Sequence, residues 1–130
     1  MRAAIMSLAI IFGFATQCAR ADIVRHEFIP ESFWGKWAAT VDDCDKADKY
    51  AVVLSAKAYV TLERSCTVDW VAESPGRTAP IYSAHLQCAV MGDPSKRIIS
   101  NIMLQQDNSG QISTGADFHS LEPLQRCSTK

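Results

Sequence analysis

The fold is decided by one β-hairpin in residues 66–91, which read CTVDWVAESPGRTAPIYSAHLQCAVM. Its centre, residues 74–77 (SPGR), is a strong turn signal, because proline and glycine favour the backbone angles of a chain reversal. On both sides of this turn, apolar side chains recur at every second position, the period of a strand with one buried face. We therefore predict strands over 66–72 and 81–91. The side chains expected on their buried faces are Cys66, Val68 and Trp70 in the first strand and Tyr82, Ala84, Leu86, Cys88 and Val90 in the second.

The two cysteines of this hairpin are equidistant from Arg77, the centre of the predicted loop. Residues at symmetric positions face each other across a hairpin, and at a non-hydrogen-bonded pair their Cβ atoms lie roughly 4–5 Å apart, as a disulfide requires. Four cysteines allow three pairings in principle. Among these we predict Cys66–Cys88, which leaves Cys44–Cys127 as the second bridge.

The rest of the chain is also a series of short apolar runs separated by turn signals, which is typical of an antiparallel all-β domain. Helical periodicity is weak, and only residues 29–33 are expected to form one helical turn, which Pro30 can begin. Seven or eight strands at this spacing predict a small antiparallel barrel or sandwich. The further predicted strands cover residues 36–41, 50–55, 57–63, 97–105, 111–113 and 117–127, with turns at 92–95 and 107–110.

The chain begins with the features of a secretory signal peptide over residues 1–21. A positive charge at Arg2 precedes an apolar run over 3–16, which is too short to span a bilayer, since a membrane helix needs roughly 20 apolar residues. Small residues at Ala19 and Ala21 then form an A-x-A cleavage site. The sequence therefore predicts export, to the periplasm or the medium.

Cleavage leaves residues 22–130 as a single β domain of ordinary size. It also removes Cys18, which we do not expect to be a lipidation site because Gln17 precedes it. The other four of the five cysteines remain, and an even number in an exported chain indicates a disulfide framework.

The charge of the domain limits its partners. The full chain has 13 Lys+Arg and 14 Asp+Glu, and the leader removes Arg2 and Arg20, so 11 positive side chains face 14 negative ones, a net charge of −3. Nucleic-acid-binding domains are usually basic along one face, and no polybasic run suggests a membrane surface. A mildly acidic domain is suited to a cationic partner.

No combination of residues suggests catalysis. The only histidines, His26, His85 and His119, lack the short spacing of a helical metal site. The acidic loop 42–48 lacks the glycine and the bidentate glutamate of a calcium-binding EF-hand. There is no G-x-S-x-G motif, and paired cysteines cannot act as nucleophiles. We expect a protein that is not an enzyme and has no metal or cofactor.

The sequence Gly35-Lys36-Trp37 resembles the G-x-W that opens lipocalin-like barrels, including small bacterial barrels that inhibit proteases. The layout of residues 29–127 resembles small exported four-cysteine proteins of Gram-negative bacteria, among which inhibitors of lysozyme and related peptidoglycan hydrolases are prominent. This chain differs from the inhibitors of c-type lysozyme at Ser109-Gly110. Those inhibitors have a Ser-Gly-x-x-Tyr loop, and here no tyrosine follows the Ser-Gly pair. The resemblance implies a periplasmic inhibitor that inserts a loop into the cleft of a lysozyme-like muramidase.

The candidate inhibitory residues lie in two predicted turns. A muramidase cleft contains two carboxylates, so a blocking loop should present cations or hydroxyl groups. The first turn offers Ser74 and Arg77, whose guanidinium can bind a carboxylate bidentately, and the second offers Ser95, Lys96 and Arg97. The alternative for both turns is that they are simply solvated loops.

Two other functions remain open from the sequence. A lipocalin-like carrier would hold a small apolar ligand in a cavity lined by Trp37 and Trp70. A protease inhibitor would protect a protein substrate while leaving muramidases untouched. Because Phe33 and Trp34 are adjacent, both cannot face inward on a strand, and we expect one of them to be partly exposed.

Overall fold

The structure is a computed structural model that describes residues 23–45, 51–90 and 92–128. The predicted signal peptide, residues 1–21, lies outside the described residues. The strands are β1 Val24–His26, β2 Gly35–Ala38, β3 Ala51–Leu54, β4 Ala58–Val60, β5 Ser65–Ser74, β6 Ile81–Val90, β7 Asp93–Gln106, β8 Ile112–Gly115 and β9 Glu122–Arg126. A 3-10 helix covers Glu31–Phe33, as the sequence predicted for this region, and a short helix, α1, covers Val41–Asp45.

Eight of these strands close into an antiparallel barrel. Their order is β5-β4-β3-β2-β9-β8-β7-β6, and the pairing of β6 with β5 completes the ring. Strand β1 is additional, since it pairs only with the second half of β5, where Val24 lies opposite Glu73. The prediction of an all-β fold, a small antiparallel barrel or sandwich of seven or eight strands with two disulfides, is therefore confirmed, and of the two architectures the structure is the barrel.

The barrel interior is filled by apolar side chains. Trp37 is fully buried, and its Nε1 donates a hydrogen bond of 2.8 Å to the carbonyl oxygen of Phe33. Other side chains with at most 2% exposure are Ile29, Phe33, Leu54, Val68, Val71, Leu86, Leu104 and Ile112. Each large apolar side chain buried in this way contributes about 1.5–3 kcal/mol of hydrophobic free energy. The interior of the barrel is therefore filled with closely packed side chains.

Both disulfides have the predicted pairing. Cys66 and Cys88 are register partners on β5 and β6, and their Cα atoms are 4.0 Å apart. Cys44 in α1 is bonded to Cys127 just after β9, with a Cα–Cα distance of 5.7 Å. Two disulfides are compatible with an oxidising extracellular or periplasmic environment.

A β-bulge in β5 makes one prediction wrong. The pairing of Val68 with Leu86 is followed by that of Trp70 with His85, so Asp69 is an extra residue on β5. Because an inserted residue reverses the alternation of side chains, Val71 is buried in place of Trp70. The Trp70 indole instead stacks on His85 at the outer surface, with ring centroids 3.6 Å apart.

Several element boundaries also differ from the predictions. The first predicted strand, 36–41, ends at Ala38, because the Thr40 hydroxyl accepts a hydrogen bond from the amide of Asp43 and begins α1. The last, 117–127, is reduced to Glu122–Arg126, because the Asp117 carboxylate binds the amides of a tight turn. Strand β1 was not predicted, since three residues are too few to show a period. None of the helices in the described ranges is long or apolar enough to cross a membrane.

Candidate functional site

The barrel has two ends, and the predicted candidate residues are divided between them. Ser74 and Arg77 lie at the end that also carries the 3-10 helix and the turn 107–110, which we call the Arg77 end. Lys96 and its neighbours lie at the opposite end, the Lys96 end, because β6 and β7 each run the length of the barrel between the two loops. Consecutive turns of an antiparallel meander alternate between ends, so the sequence contained this signal. A single cleft cannot receive both loops.

The loop at the Arg77 end, residues 75–80, is braced by its neighbours. Gln105 Nε2 donates a hydrogen bond of 3.1 Å to the carbonyl oxygen of Ala79. A Cβ atom at Gly76 would overlap that same oxygen, so the backbone approaches itself more closely than any other residue type allows. Proline occupies both end positions of the loop and fixes φ there. The loop therefore has one well-defined shape.

Arg77 extends from this braced loop into solvent. Its guanidinium makes no ion pair with any residue in the described ranges. Ser74, by contrast, is half-buried at the end of β5, and its hydroxyl donates to the carbonyl oxygen of Ile81 at 3.5 Å. Of the two predicted residues, Arg77 is thus the one available to a partner, while Ser74 supports the loop.

The Arg77 end also presents an aromatic side chain. Phe33 is 1% exposed, whereas Trp34 is 37% exposed, so the expectation that one of the pair is partly exposed is confirmed. Arg126 holds this segment in place, because its two terminal nitrogens donate to the carbonyl oxygens of Trp34 (2.7 Å) and Ser32 (3.1 Å). Sequence reasoning missed Arg126, which is distant along the chain from the groups that it binds.

The turn 107–110 lies beside the loop, across a depression of about 200 Å³ lined in part by Ser32, Ala79 and Asn108. The Asp107 carboxylate accepts hydrogen bonds from the hydroxyl (2.6 Å) and the amide (2.8 Å) of Ser109. The Ser109 hydroxyl is the main cause that lowers the pKa of Asp107. Because that hydroxyl is already bound within the turn, Ser109 is less available to a partner than Arg77.

The base of the loop is joined to strand β1 by a polar cluster. His26 Nε2 lies 2.7 Å from one oxygen of Glu73, and the Tyr82 hydroxyl donates to the other at 3.3 Å. Burial and the adjacent Glu73 carboxylate raise the pKa of Tyr82, which keeps it a hydrogen-bond donor. The cluster therefore fixes the position of β1 and of the residue that precedes Ser74.

At the Lys96 end, the predicted turn 92–95 is shifted. The turn is at Gly92, and β7 begins at Asp93 with an irregular register, since Val90 pairs with Asp93 but Ala89 pairs with Arg97. The Ser95 hydroxyl donates to the Asp93 carboxylate at 2.6 Å. Lys96 and Arg97 are exposed on this irregular strand, without the bracing found in the loop 75–80.

The cavity expected for a carrier is not formed by the predicted residues, because Trp37 is packed in the core and Trp70 lies on the outer surface. No group of three or more His, Cys, Asp or Glu side chains in the described ranges could hold a metal ion. Comparison of the chain with protein-family models, curated proteins and solved structures finds no match. The geometry of the two barrel ends is therefore what bears on the function of the protein.

Proposed function

We propose that this protein is an exported, periplasmic inhibitor of a peptidoglycan hydrolase of the lysozyme-like muramidase class. In this proposal the loop 75–80 enters the active-site cleft and Arg77 binds one of its carboxylates. The observation that carries it is the braced loop, which presents an exposed guanidinium from a packed and doubly disulfide-linked barrel.

The loop suits such a cleft for two reasons. A muramidase cleft contains two carboxyl groups that flank the sugar chain, and a guanidinium binds a carboxylate through two parallel hydrogen bonds. The loop is also ordered before binding, by Gln105 and by the two prolines, so less conformational entropy is lost on association. Trp34, at the same end of the barrel, adds an aromatic surface of the kind that anchors interfaces.

The Lys96 end is less suited to this role. The Ser95 hydroxyl is bound to Asp93, and Lys96 and Arg97 are long side chains on an irregular strand, so ordering them on a partner costs conformational entropy. Long-range electrostatics do not choose between the ends, since the net charge of −3 expected for the mature chain attracts a cationic enzyme from any direction.

The packed interior favours inhibition over carriage of an apolar ligand. A carrier needs an enclosed cavity, whereas the depression of about 480 Å³ beside Tyr59 and Arg64 is open to solvent at the barrel surface. Protease inhibition uses the same kind of braced loop and is distinguished by assay, since it would protect a protein substrate while peptidoglycan lysis continues.

The test compares two variants in a peptidoglycan turbidity assay with a muramidase. We expect Arg77→Ala to weaken inhibition about thirtyfold or more, which corresponds to roughly 2 kcal/mol, the scale of an interface hot spot. The matched control, Lys96→Ala with Arg97→Ala, removes two cations at the other end and should inhibit normally. Both variants should retain the native melting temperature, because all three side chains are exposed. Full inhibition by Arg77→Ala would exclude the loop 75–80 as the inhibitory site. Loss of inhibition in the control would assign the inhibitory site to the Lys96 end.

A further inference from the structure

Strand β7 has a long edge without a strand partner. It comprises 14 residues and pairs with β6 over most of its length. On its other side, β8 pairs only with Met103–Gln106. From Asp93 to Ile102, the backbone N–H and C=O groups on that side therefore bond to no strand in the described ranges, and such an edge is a template for another strand.

Only the first part of this edge carries features that prevent pairing. Proteins protect exposed edges with proline, charged side chains and bulges. Here Pro94, Lys96 and Arg97 and the irregular register all lie in the first five residues of β7. The following residues have none of these features, and they include Ile98 and Ile99, which are 54% and 81% exposed. The unprotected part of the edge is thus also its most apolar part.

We propose that this edge pairs with the same edge of a second copy of the chain, antiparallel and about a two-fold axis near Ile99. The two barrels then share one continuous sheet in which β7 of each copy lies at the junction. An isologous contact of this kind closes after two subunits. Because the contact consists of only one strand from each copy, it is small, and we expect the dimer to dissociate at low protein concentration.

The sequence of the edge is complementary to itself in this register. Within the unprotected part of the edge, the pairs are Ile99 with Ile99 and Ile98 with Ser100. At its margin, Arg97 and Lys96 lie opposite the uncharged Asn101 and Ile102. No two like charges are opposed, and the most exposed isoleucine lies against its own copy, an apolar cross-strand pair that stabilises a sheet. A register centred on Arg97 would instead oppose two guanidinium groups. The charges therefore exclude a register centred on Arg97, and the pairing of the most exposed isoleucine with its own copy favours the register centred on Ile99.

The dimer occupies the Lys96 end and leaves the Arg77 loop of each copy accessible at the far end of its barrel. It therefore does not depend on the proposed inhibitory function, and neither result determines the other. If both hold, one dimer carries two inhibitory loops that point away from the junction.

Sedimentation equilibrium over a wide concentration range tests the proposal. We expect the native protein to shift from the mass of one chain to twice that mass as concentration rises. Ile99→Lys, which places two ammonium groups against each other at the axis, should keep the mass of one chain throughout. The matched control is Val60→Lys, an exposed strand position whose neighbours, Val53 and Ser65, already occupy both sides, and it should dimerise like the native protein.

Circular dichroism melts establish that both variants are folded, and amide hydrogen exchange of the native protein gives a second measurement. Exchange at residues 98–102 should slow as concentration rises, while exchange at the Arg77 end stays constant. A native protein that keeps the mass of one chain at the highest concentration overturns the proposal. So does a dimer that Ile99→Lys leaves intact, and binding of an extended peptide to a native monomer would assign the edge to another partner.

Discussion

Single residues determine which end of the barrel can present a rigid loop. Gly76 allows the backbone of the loop 75–80 to contact itself, and Gln105 holds it from the neighbouring strand. Arg126 fixes the segment beside the loop through hydrogen bonds of 2.7 Å and 3.1 Å, while its guanidinium carbon lies 4.2 Å from the centre of the Trp37 ring. These contacts leave Arg77 exposed on a surface that is otherwise fixed.

The turn 107–110, which lies beside this loop, allows a prediction about the hydroxyl group of Ser109. The Ser109 hydroxyl is the largest cause of the lowered pKa of Asp107, so Ser109→Ala should raise that pKa toward its usual value. The pKa of Asp117 is also lowered, chiefly by the backbone amide of His119 and further by the Ser120 hydroxyl. Carboxyl titration by NMR measures both groups. Ser120→Ala is the matched control, since it should raise the pKa of Asp117 and leave Asp107 unchanged.

The sign of the pH dependence follows from these directions. A carboxyl group whose pKa is lower in the folded chain stabilises the fold above the unfolded value of 3.8, and this contribution is lost as pH falls through the folded pKa. Ser109→Ala should therefore reduce stability at neutral pH, and its difference from the native protein should become smaller in acid. A pKa of Asp107 that does not move in Ser109→Ala would contradict the account of this turn.

Among the strands and turns, the sequence predicts those that local periodicity and turn-forming residues determine. The hairpin β5–β6 and its disulfide follow from the SPGR turn and the symmetric cysteines. The outward position of Trp70 was not predictable, because a bulge at Asp69 leaves no mark in an alternating pattern that continues on both sides. The bracing of the loop by Gln105 and Arg126 was not predictable either, since both residues are distant along the chain from the groups that they hold.

The two disulfides enclose chain segments of different length, so their contributions to stability are expected to differ. The chain-entropy account gives about 3.5 kcal/mol for Cys66–Cys88 and about 4.5 kcal/mol for Cys44–Cys127, because the sequence separations are 22 and 83 residues. Thermal melts of the two double-alanine variants should show a lowered melting temperature for each, and reductant should lower that of the native protein further. Native melts that agree within a few degrees with and without reductant would mean that the bridges contribute little.

For the whole molecule, the fold class and the disulfide pairing followed from the sequence, and the alternation of turns in an antiparallel meander already implied that the two candidate turns lie at opposite ends. The ring of eight strands places Arg77 and Lys96 at opposite ends. In our proposals, the Arg77 end carries a braced loop for an enzyme cleft and the Lys96 end carries an open strand edge for a second copy. A rigid, packed barrel between them keeps the two surfaces independent.

The most direct test of the proposed function is a titration of a lysozyme-like muramidase with the purified native protein, followed by the turbidity of a peptidoglycan suspension. We predict that clearing stops when the concentration of barrels equals that of the enzyme, and that a complex of the two can be isolated from the same mixture. Clearing that continues at a large excess of the protein, with muramidases of several families, would contradict the account.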